Sequence, residues 1–159
     1  MGQSALNPPL VSPVSDSGFW RHKTLAQLSR QEWEQLCDGC GRCCLNKLED
    51  EDTGEIVYTR AACHALDLQS CRCTVYPRRQ TVVPTCLDLR QGFHQFHWLP
   101  PSCAYRLMAE GRPLPDWHPL VSGRAESVHE AGISVRQFAI SETGVDDLED
   151  HVIEDFDPH

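Results

Sequence analysis

Residues 37–44 read CDGCGRCC, four thiols in eight positions with no other apolar side chain among them. Thiolates are soft donors that suit zinc, Cu(I) and iron–sulfur clusters, so the ligand type points to a metal without choosing one. The spacing C-x2-C-x2-C matches the opening of a ferredoxin-type cluster motif. A ferredoxin motif continues x3-C-P, whereas here Cys44 follows Cys43 directly. Closed zinc sites usually combine two separated pairs, and Cys37/Cys40 with Cys71/Cys73 would make one. Adjacent cysteines resist joining to each other because of ring strain, but both can ligate. Four thiols in eight residues make a poor hydrophobic core, which leaves metal binding as the best use of this segment.

Five further cysteines follow, Cys63, Cys71, Cys73, Cys86 and Cys103. The total of nine is odd, so a complete disulfide framework would leave one thiol over. Cys63 and Cys103 stand alone in apolar surroundings, where a plain buried thiol is as good a reading as a ligand. Cys71-Arg72-Cys73 lies close in sequence to Arg78 and Arg79, and positive charge lowers a thiol pKa, so a thiol redox switch is a second reading for part of the set. Asp38 fits a backbone cap in a Gly-rich turn better than a ligand. Glu49–Asp52 lacks the ligand spacing of a calcium loop and reads as a solvated turn. His64, His97 and His118 are the candidate nitrogen ligands, each weighed against ordinary packing. No phosphate loop, G-x-S-x-G or H-E-x-x-H pattern is present, and no residue is assigned a catalytic role.

The elements around these residues must be short. The chain has 159 residues with 11 Pro and 10 Gly and is 40% hydrophobic, enough for one domain with a modest core. Residues 1–17 are rich in Pro and Ser and read as a disordered arm. Ser29 and Glu32 form a capping-box pattern for a helix that buries Leu25, Leu28, Trp33 and Leu36 and runs into Cys37. The segment 37–44 either continues as helix or uses Gly39 and Gly41 to wrap an ion. A turn at 52–54 precedes a strand over 55–59. Residues 60–67 read as a helical turn or two carrying Cys63, residues 71–76 as extended, and residues 84–89 as a short helix. A late helix spans 102–111, capped by Ser102 and ended by Gly111. The alternation in ISVRQFAI predicts a strand over 133–140. Phe93, Phe96, Trp98, Tyr105 and Trp117 read as core or site-shielding aromatics.

Charge narrows the function classes. The net charge is −9, but residues 141–159 hold eight acidic side chains and no Lys or Arg. The remainder carries 15 acidic against 14 basic residues, and no basic stripe interleaved with aromatics suggests nucleic acid. No apolar run reaches the roughly 18 residues of a membrane span. The N-terminus lacks the early basic residues and apolar stretch of a signal peptide, so a cytoplasmic location is expected, with reduced thiols.

The quoted segments carry a resemblance. FW at 19–20, EWEQLCDGCGRCCLNKLEDEDTGEI at 32–56, CRCTVY at 71–76, PTCLDL at 84–89, WLPPSCAYRLMAEGRPLPDWHPL at 98–120 and ISVR at 133–136 are similar to the bacterial YcgN-type branch of the CxxCxxCC family. That family is described as zinc- or iron-chelating. The resemblance covers about residues 18–145 and implies a metal site. Its pattern places Cys37, Cys40, Cys43 and Cys44 in the first block, Cys73 with Val75 and Tyr76 in the second with Cys71 just upstream, and Cys86 last. Cys63 and Cys103 belong to the YcgN-type branch. The family's R-P step is absent, since Gln80 follows Arg78-Arg79 and proline returns only at Pro84.

The resulting expectation is a small single α+β domain, mainly helical and irregular, organised around a cysteine metal site. Its parts are the arm 1–17, the domain 18–145 and an acidic tail 146–159 that frays away. The metal residues are Cys37, Cys40, Cys43, Cys44, Cys63, Cys71, Cys73, Cys86 and Cys103. More thiols are available than one zinc or one four-iron cluster takes, which favours iron or an iron–sulfur cluster in a redox or oxidative-modification role. Structural zinc in a partner-binding module is the alternative, and a thiol switch the third reading. The expected partner is a protein or peptide, with no nucleic acid and no membrane.

Overall fold

Ser29 starts the first helix as its sequence predicts. Its hydroxyl accepts from the Glu32 N–H at 3.1 Å, and the Glu32 carboxylate accepts from the Ser29 N–H at 2.8 Å. Lys23 closes on the same carboxylate at 2.8 Å. This reciprocal cap satisfies donors that a helix of only seven residues cannot satisfy internally. The computed structural model describes residues 18–86, 88–90 and 96–154. The predicted disorder of 1–17 and the role of Phe93 lie outside the described residues.

The helices are α1 (Arg30–Leu36), α2 (Arg79–Val82), α3 (Ala104–Ala109), α4 (Pro119–Ser122) and α5 (Ser127–Glu130). The strands are β1 (Leu45–Glu49), β2 (Ile56–Ala62), β3 (Leu66–Asp67), β4 (Arg72–Cys73) and β5 (Ile140–Ser141). The first sheet has the order β1-β2-β5, with β1 and β2 antiparallel and β2 and β5 parallel; β3 and β4 form a separate antiparallel pair. The β1–β2 turn explains the acidic run. Asp50 Oδ1 accepts from the N–H groups of Asp52 and Thr53, an ordinary Asx turn.

Two main cores flank the cysteine segment. One packs Phe19, Leu28, Trp33 and Leu36 against Leu99, Tyr105, Leu107 and Leu114. The Tyr105 hydroxyl donates to the Trp33 carbonyl at 2.6 Å, with the two rings 4.8 Å apart, so α1 and α3 are fixed to each other. The other joins Leu45, Tyr58, Ala62 and Leu66 to Cys71 and Val135. A smaller cluster of Cys40, Val128 and Ile133 lies with Trp117.

The architecture is a small single domain of mixed helices and strands, and the finer expectation of a mainly helical one is not confirmed. No α-helix among the described residues exceeds seven residues, and five strands carry much of the frame. Residues 60–67 do not form a helix. Ala61 and Ala62 are helix formers by propensity, but both are fully buried and pair with Ile140 and Ser141 in β2–β5. Tertiary packing overrides a weak local preference there. Residues 133–140 are not a strand: a 3₁₀ turn occupies Val135–Gln137, and only Ile140 enters β5. The short helix lies upstream of Pro84, at α2. Cys103, not Ser102, precedes the late helix, and Gly111 follows it at φ 71°. The chain from 146 to 154 does not fray. Val152 bridges Thr59, and the Ile153 N–H donates to the Tyr58 carbonyl at 2.9 Å.

Candidate metal centre

Helix α1 stops at Cys37, whose ψ of 127° turns the chain out of the helix. His118 fixes this end. It is fully buried, its Nε2 contacts the Leu36 carbonyl at 2.8 Å, and its Nδ1 accepts from the Leu120 N–H at 3.0 Å. With Nδ1 accepting, Nε2 carries the proton and donates to Leu36. Both ring nitrogens are thereby used, so His118 is a packing residue that anchors the helix delivering the first cysteine. His97 is exposed in a 3₁₀ turn.

Residues 37–41 are not helical. Gly39 and Gly41 lie at φ 79° and 77°, and a 3₁₀ turn over Arg42–Cys44 follows. This is the wrapping geometry that the two glycines allow. At Gly41 a side chain is excluded twice, since a Cβ there would lie 2.9 Å from Val135 Cγ2. The Cys40 carbonyl accepts from the Val135 N–H at 2.9 Å, and Arg42 Nε donates to the Ile133 carbonyl at 2.6 Å. The loop is therefore clamped from the residue 132–135 side, and Cys40 itself packs against Ile133 there.

Cys43 is the hub of the thiol group. Its charge is felt at Cys37, Cys40, Cys44, Cys86 and Cys103. Burial pushes the Cys37 thiol up to about 12, although part of its surface meets solvent, and Asp38 and Cys43 add to the rise. Burial also holds Cys40 and Cys103 well above the usual thiol range. Cys43 moves the other way. The Cys44 thiol donates to it, Lys47 lies beside it, and its pKa falls to about 7 while that of Cys44 rises. A metal replaces such protons when it binds, so the arrangement predicts proton release on loading.

Three neighbours set the electrostatics. Lys47 Nζ donates to the carbonyls of Cys43 and Leu45 at 3.0 and 2.8 Å and sits 5.2 Å from the Tyr58 ring centroid. Burial lowers its pKa, and the thiols oppose that fall. Arg72 reaches Gly39 and opposes the rise at Cys37. Asp38 is 6% exposed: Oδ1 accepts from the Cys40 N–H at 2.9 Å, and Oδ2 is buried with no hydrogen-bond partner among the described residues. A buried carboxylate oxygen left bare costs stability unless a cation or donor meets it. Its charge is felt at Cys37, Cys40, Cys43 and Cys103 and also at His118, so it lies among the thiols and the buried imidazole. The donor types suit a metal, with several thiols, one bare carboxylate oxygen and a nearby ammonium to offset negative charge, but no three of these donor atoms lie within 4.8 Å of one another.

The other predicted residues divide. Cys86 and Cys73 lie at the margin, each within the other's electrostatic reach, and Arg79 moderates the burial that raises Cys86. Cys63 is felt at Cys44 and Cys86, and its N–H donates to the Cys44 carbonyl at 2.8 Å. Cys71 stands apart. It is 5% exposed, has φ 59°, packs with Val135 and Leu66, and meets Ser134 and Arg136 rather than the other sulfurs. Burial raises its pKa, opposite to the direction a reactive switch thiol needs.

Sequence reasoning missed Lys47, Arg72 and the inward oxygen of Asp38. Lys47 carried a usable signal, being one of two lysines in a chain with twelve arginines and standing four residues after Cys43. Asn46 and Glu142 carried none, because their pairing depends on contacts 96 residues apart.

A family model described as "Putative zinc- or iron-chelating domain" matches residues 36–104. That span runs from the end of α1 to the start of α3 and contains all nine cysteines. A UPF0260 protein of Rhizorhabdus wittichii is 54% identical over 142 residues, covering 89% of this chain and 97% of that protein. The chain belongs to the UPF0260 family of CxxCxxCC proteins. A UPF0260 protein of Marinobacter nauticus is 54% identical over 143 residues, covering 88% of this chain and 97% of its own length. UPF0260 protein YcgN of Salmonella newport is 50% identical over 141 residues, covering 88% of this chain and 92% of its own length. No solved structure matches. For a UPF0260 chain the zinc or iron description attaches to the segment that forms the thiol group, not to the acidic residues at its C-terminal end. No helix among the described residues is long and apolar enough to cross a membrane.

Proposed function

We propose that this chain is an iron protein whose thiol group holds an iron–sulfur cluster or a pair of iron ions, and that it acts in the cytoplasm in a redox step or an oxidative modification of a protein or peptide partner. The carrying observation is the number of donors within electrostatic reach of Cys43, although no three of their ligand atoms lie within 4.8 Å of one another, so they must close in around an ion. Cys37, Cys40, Cys43, Cys44, Cys86 and Cys103, with Asp38 Oδ2, exceed the four ligands that one structural zinc uses. Cys73 extends the set at its margin, and Cys71 serves the packing of the loop. Lys47 and Arg72 offset the negative charge that several thiolates and a carboxylate bring together. Cys37 and Cys43 are exposed to solvent, which gives a partner access to the edge of the centre. The near-neutral body and the absence of a basic stripe favour a protein or peptide over nucleic acid.

When bound, iron would supply one-electron chemistry at this edge. The chain itself supplies the donors, the compensating cations and a clamped loop that holds its sulfurs in place. The test is metal and acid-labile sulfide analysis with an ultraviolet–visible spectrum on protein purified without oxygen. Iron with visible absorbance is expected. A colourless protein with stoichiometric zinc and no iron overturns the reading and makes the domain a zinc-stabilised binding module.

A further inference from the structure

Strand β2 ends where three different metal-binding side chains meet. Cys63 and His64 follow its last residue, Ala62. The parallel pairing of Ala61 with Ile140 and Ala62 with Ser141 brings Glu142 to the same place from far along the chain. Glu142 Oε1 lies 2.9 Å from the His64 N–H and 2.7 Å from His64 Nδ1. Its other oxygen accepts from Asn46 Nδ2 at 2.8 Å, and the same amide donates to the Ala61 carbonyl at 3.0 Å. A Cys63 sulfur, a His64 ring nitrogen and a Glu142 oxygen all fall within 4.8 Å of one another.

This spacing fits one ion. Bonds of about 2.0–2.3 Å at tetrahedral angles put neighbouring donors roughly 3.3–3.8 Å apart. The His64–Glu142 pair at 2.7 Å must open slightly, and any pair lying toward the 4.8 Å limit must close, small movements for one exposed and two half-buried side chains. One sulfur, one nitrogen and one oxygen from the protein leave a fourth position for water, the composition of an open site rather than a closed structural one. Asn46 holds the carboxylate from behind, as the outer partners of metal ligands commonly do. The Cys63 N–H bond to the Cys44 carbonyl places this group beside the larger thiol group without sharing its backbone loop.

We propose that Cys63, His64 and Glu142 form a second, mononuclear site for a divalent cation of the zinc and ferrous-iron class, open to solvent. It takes Cys63 out of the larger centre and gives His64 a ligand role. It does not depend on which metal the larger centre holds.

The probe is Co(II), whose visible bands report tetrahedral coordination and thiolate ligation. Titration of the full reduced chain, with a chromophoric chelator in competition, gives the number of ions bound. His64→Ala and Glu142→Gln are the variants. Both side chains are partly exposed, and glutamine keeps one acceptor, enough for either Asn46 or the His64 N–H but not both. Each variant is expected to lose the same single equivalent, or to bind it at least about tenfold more weakly, while Cys40→Ser leaves that equivalent in place. Asn46→Ala is expected to weaken it by about 10–100-fold, the usual effect of removing an outer partner. If both His64→Ala and Glu142→Gln keep full stoichiometry and affinity while Cys63→Ser alone loses metal, Cys63 belongs to the larger centre and the proposal fails. Loss in Cys40→Ser with none in His64→Ala or Glu142→Gln also overturns the second site, whereas loss in those two with none in Cys40→Ser upholds it without the larger centre, so the two readings fail separately.

Discussion

Replacing Asp38 by asparagine should make the metal-free protein more stable and the metal-loaded protein less so. The two carboxylate oxygens do different work. Oδ1 accepts from the Cys40 N–H at 2.9 Å, and an asparagine oxygen can keep that bond. Oδ2 is buried without a partner among the described residues, in a side chain only 6% exposed. A buried unsatisfied polar group costs about 1–3 kcal/mol, and more when charged. Asparagine leaves a neutral but still unpartnered amide at that place, so only the extra cost of the charge is recovered, and the metal-free chain should gain about 1 kcal/mol. For a domain of this size that corresponds to roughly 3 °C in Tm. With metal present the sign reverses, because the oxygen that offsets the ion's charge is gone. A loss of tenfold in affinity, about 1.4 kcal/mol, is the least that a lost ligand should produce. The assay is a pair of thermal melts under reducing, oxygen-free conditions, with and without iron or zinc, supported by competition titration. If Asp38→Asn lowers the metal-free Tm and leaves the metal-induced shift unchanged, Asp38 is only a turn cap, and the inference from its bare oxygen is wrong.

Further expectations come from the same geometry. In the metal-free protein Cys43 should be the fastest thiol to alkylate, with a rate midpoint near pH 7 set by the Cys44 hydrogen bond and Lys47, and Lys47→Met should raise that midpoint; peptide mapping after timed iodoacetamide labelling decides it. Gly41→Ala should cost about 2 kcal/mol or more, from the left-handed backbone and the 2.9 Å approach to Val135, as read by a urea melt; an unchanged midpoint would remove the clamp from the account. Cys40 and Cys103 have folded pKa values raised above the ordinary thiol value of 9.0, so their contribution to metal-free stability is fully present below about pH 9 and is lost as pH rises above it. Each thiol contributes a slope of about 1.4 kcal/mol per pH unit, so Cys103→Ala should flatten the alkaline fall in urea midpoint, and bound metal should delay it.

Local chemistry was readable where one segment decided its own structure. Ser29 and Glu32 predicted the α1 cap, and Leu28, Trp33 and Leu36 its buried face. The glycines of CDGCGRCC left helix and wrapped loop both open, and the structure takes the loop, while Gly111 ended the late helix. What stayed hidden depended on distant contacts. Ala61 and Ala62 gave no hint that they extend a strand, because the reason is the approach of Ile140 and Ser141. The alternation of residues 133–140 pointed to a strand, but Val135 spends its N–H on the Cys40 carbonyl and its side chain on Gly41. An alternating pattern is silent about such a purpose, since a 3₁₀ turn can present one buried residue as well as a strand can.

The same division explains the nine cysteines. Spacing singled out Cys37, Cys40, Cys43 and Cys44 because they share one short loop. Spacing could not rank the other five, since their positions follow from how α3, the β3–β4 pair and the end of β2 pack. Cys103 reaches the group because it precedes α3, which Tyr105 ties to α1 through the Trp33 carbonyl. Cys71 and Cys73 differ by only two residues, yet the left-handed backbone at Cys71 turns it into the core beside Val135, while Cys73 stays within reach of Cys86. A C-x-C pair therefore need not share a metal. Here one thiol completes the packing under Gly41, and the clamp that this packing supports holds the ligand loop in shape. The fold and the centre thus depend on each other at a single point, the close approach of Val135 to Gly41, where an added Cβ would lie 2.9 Å from Val135 Cγ2. A substitution there should disturb metal binding and folding together, whereas Asp38→Asn should drive them in opposite directions.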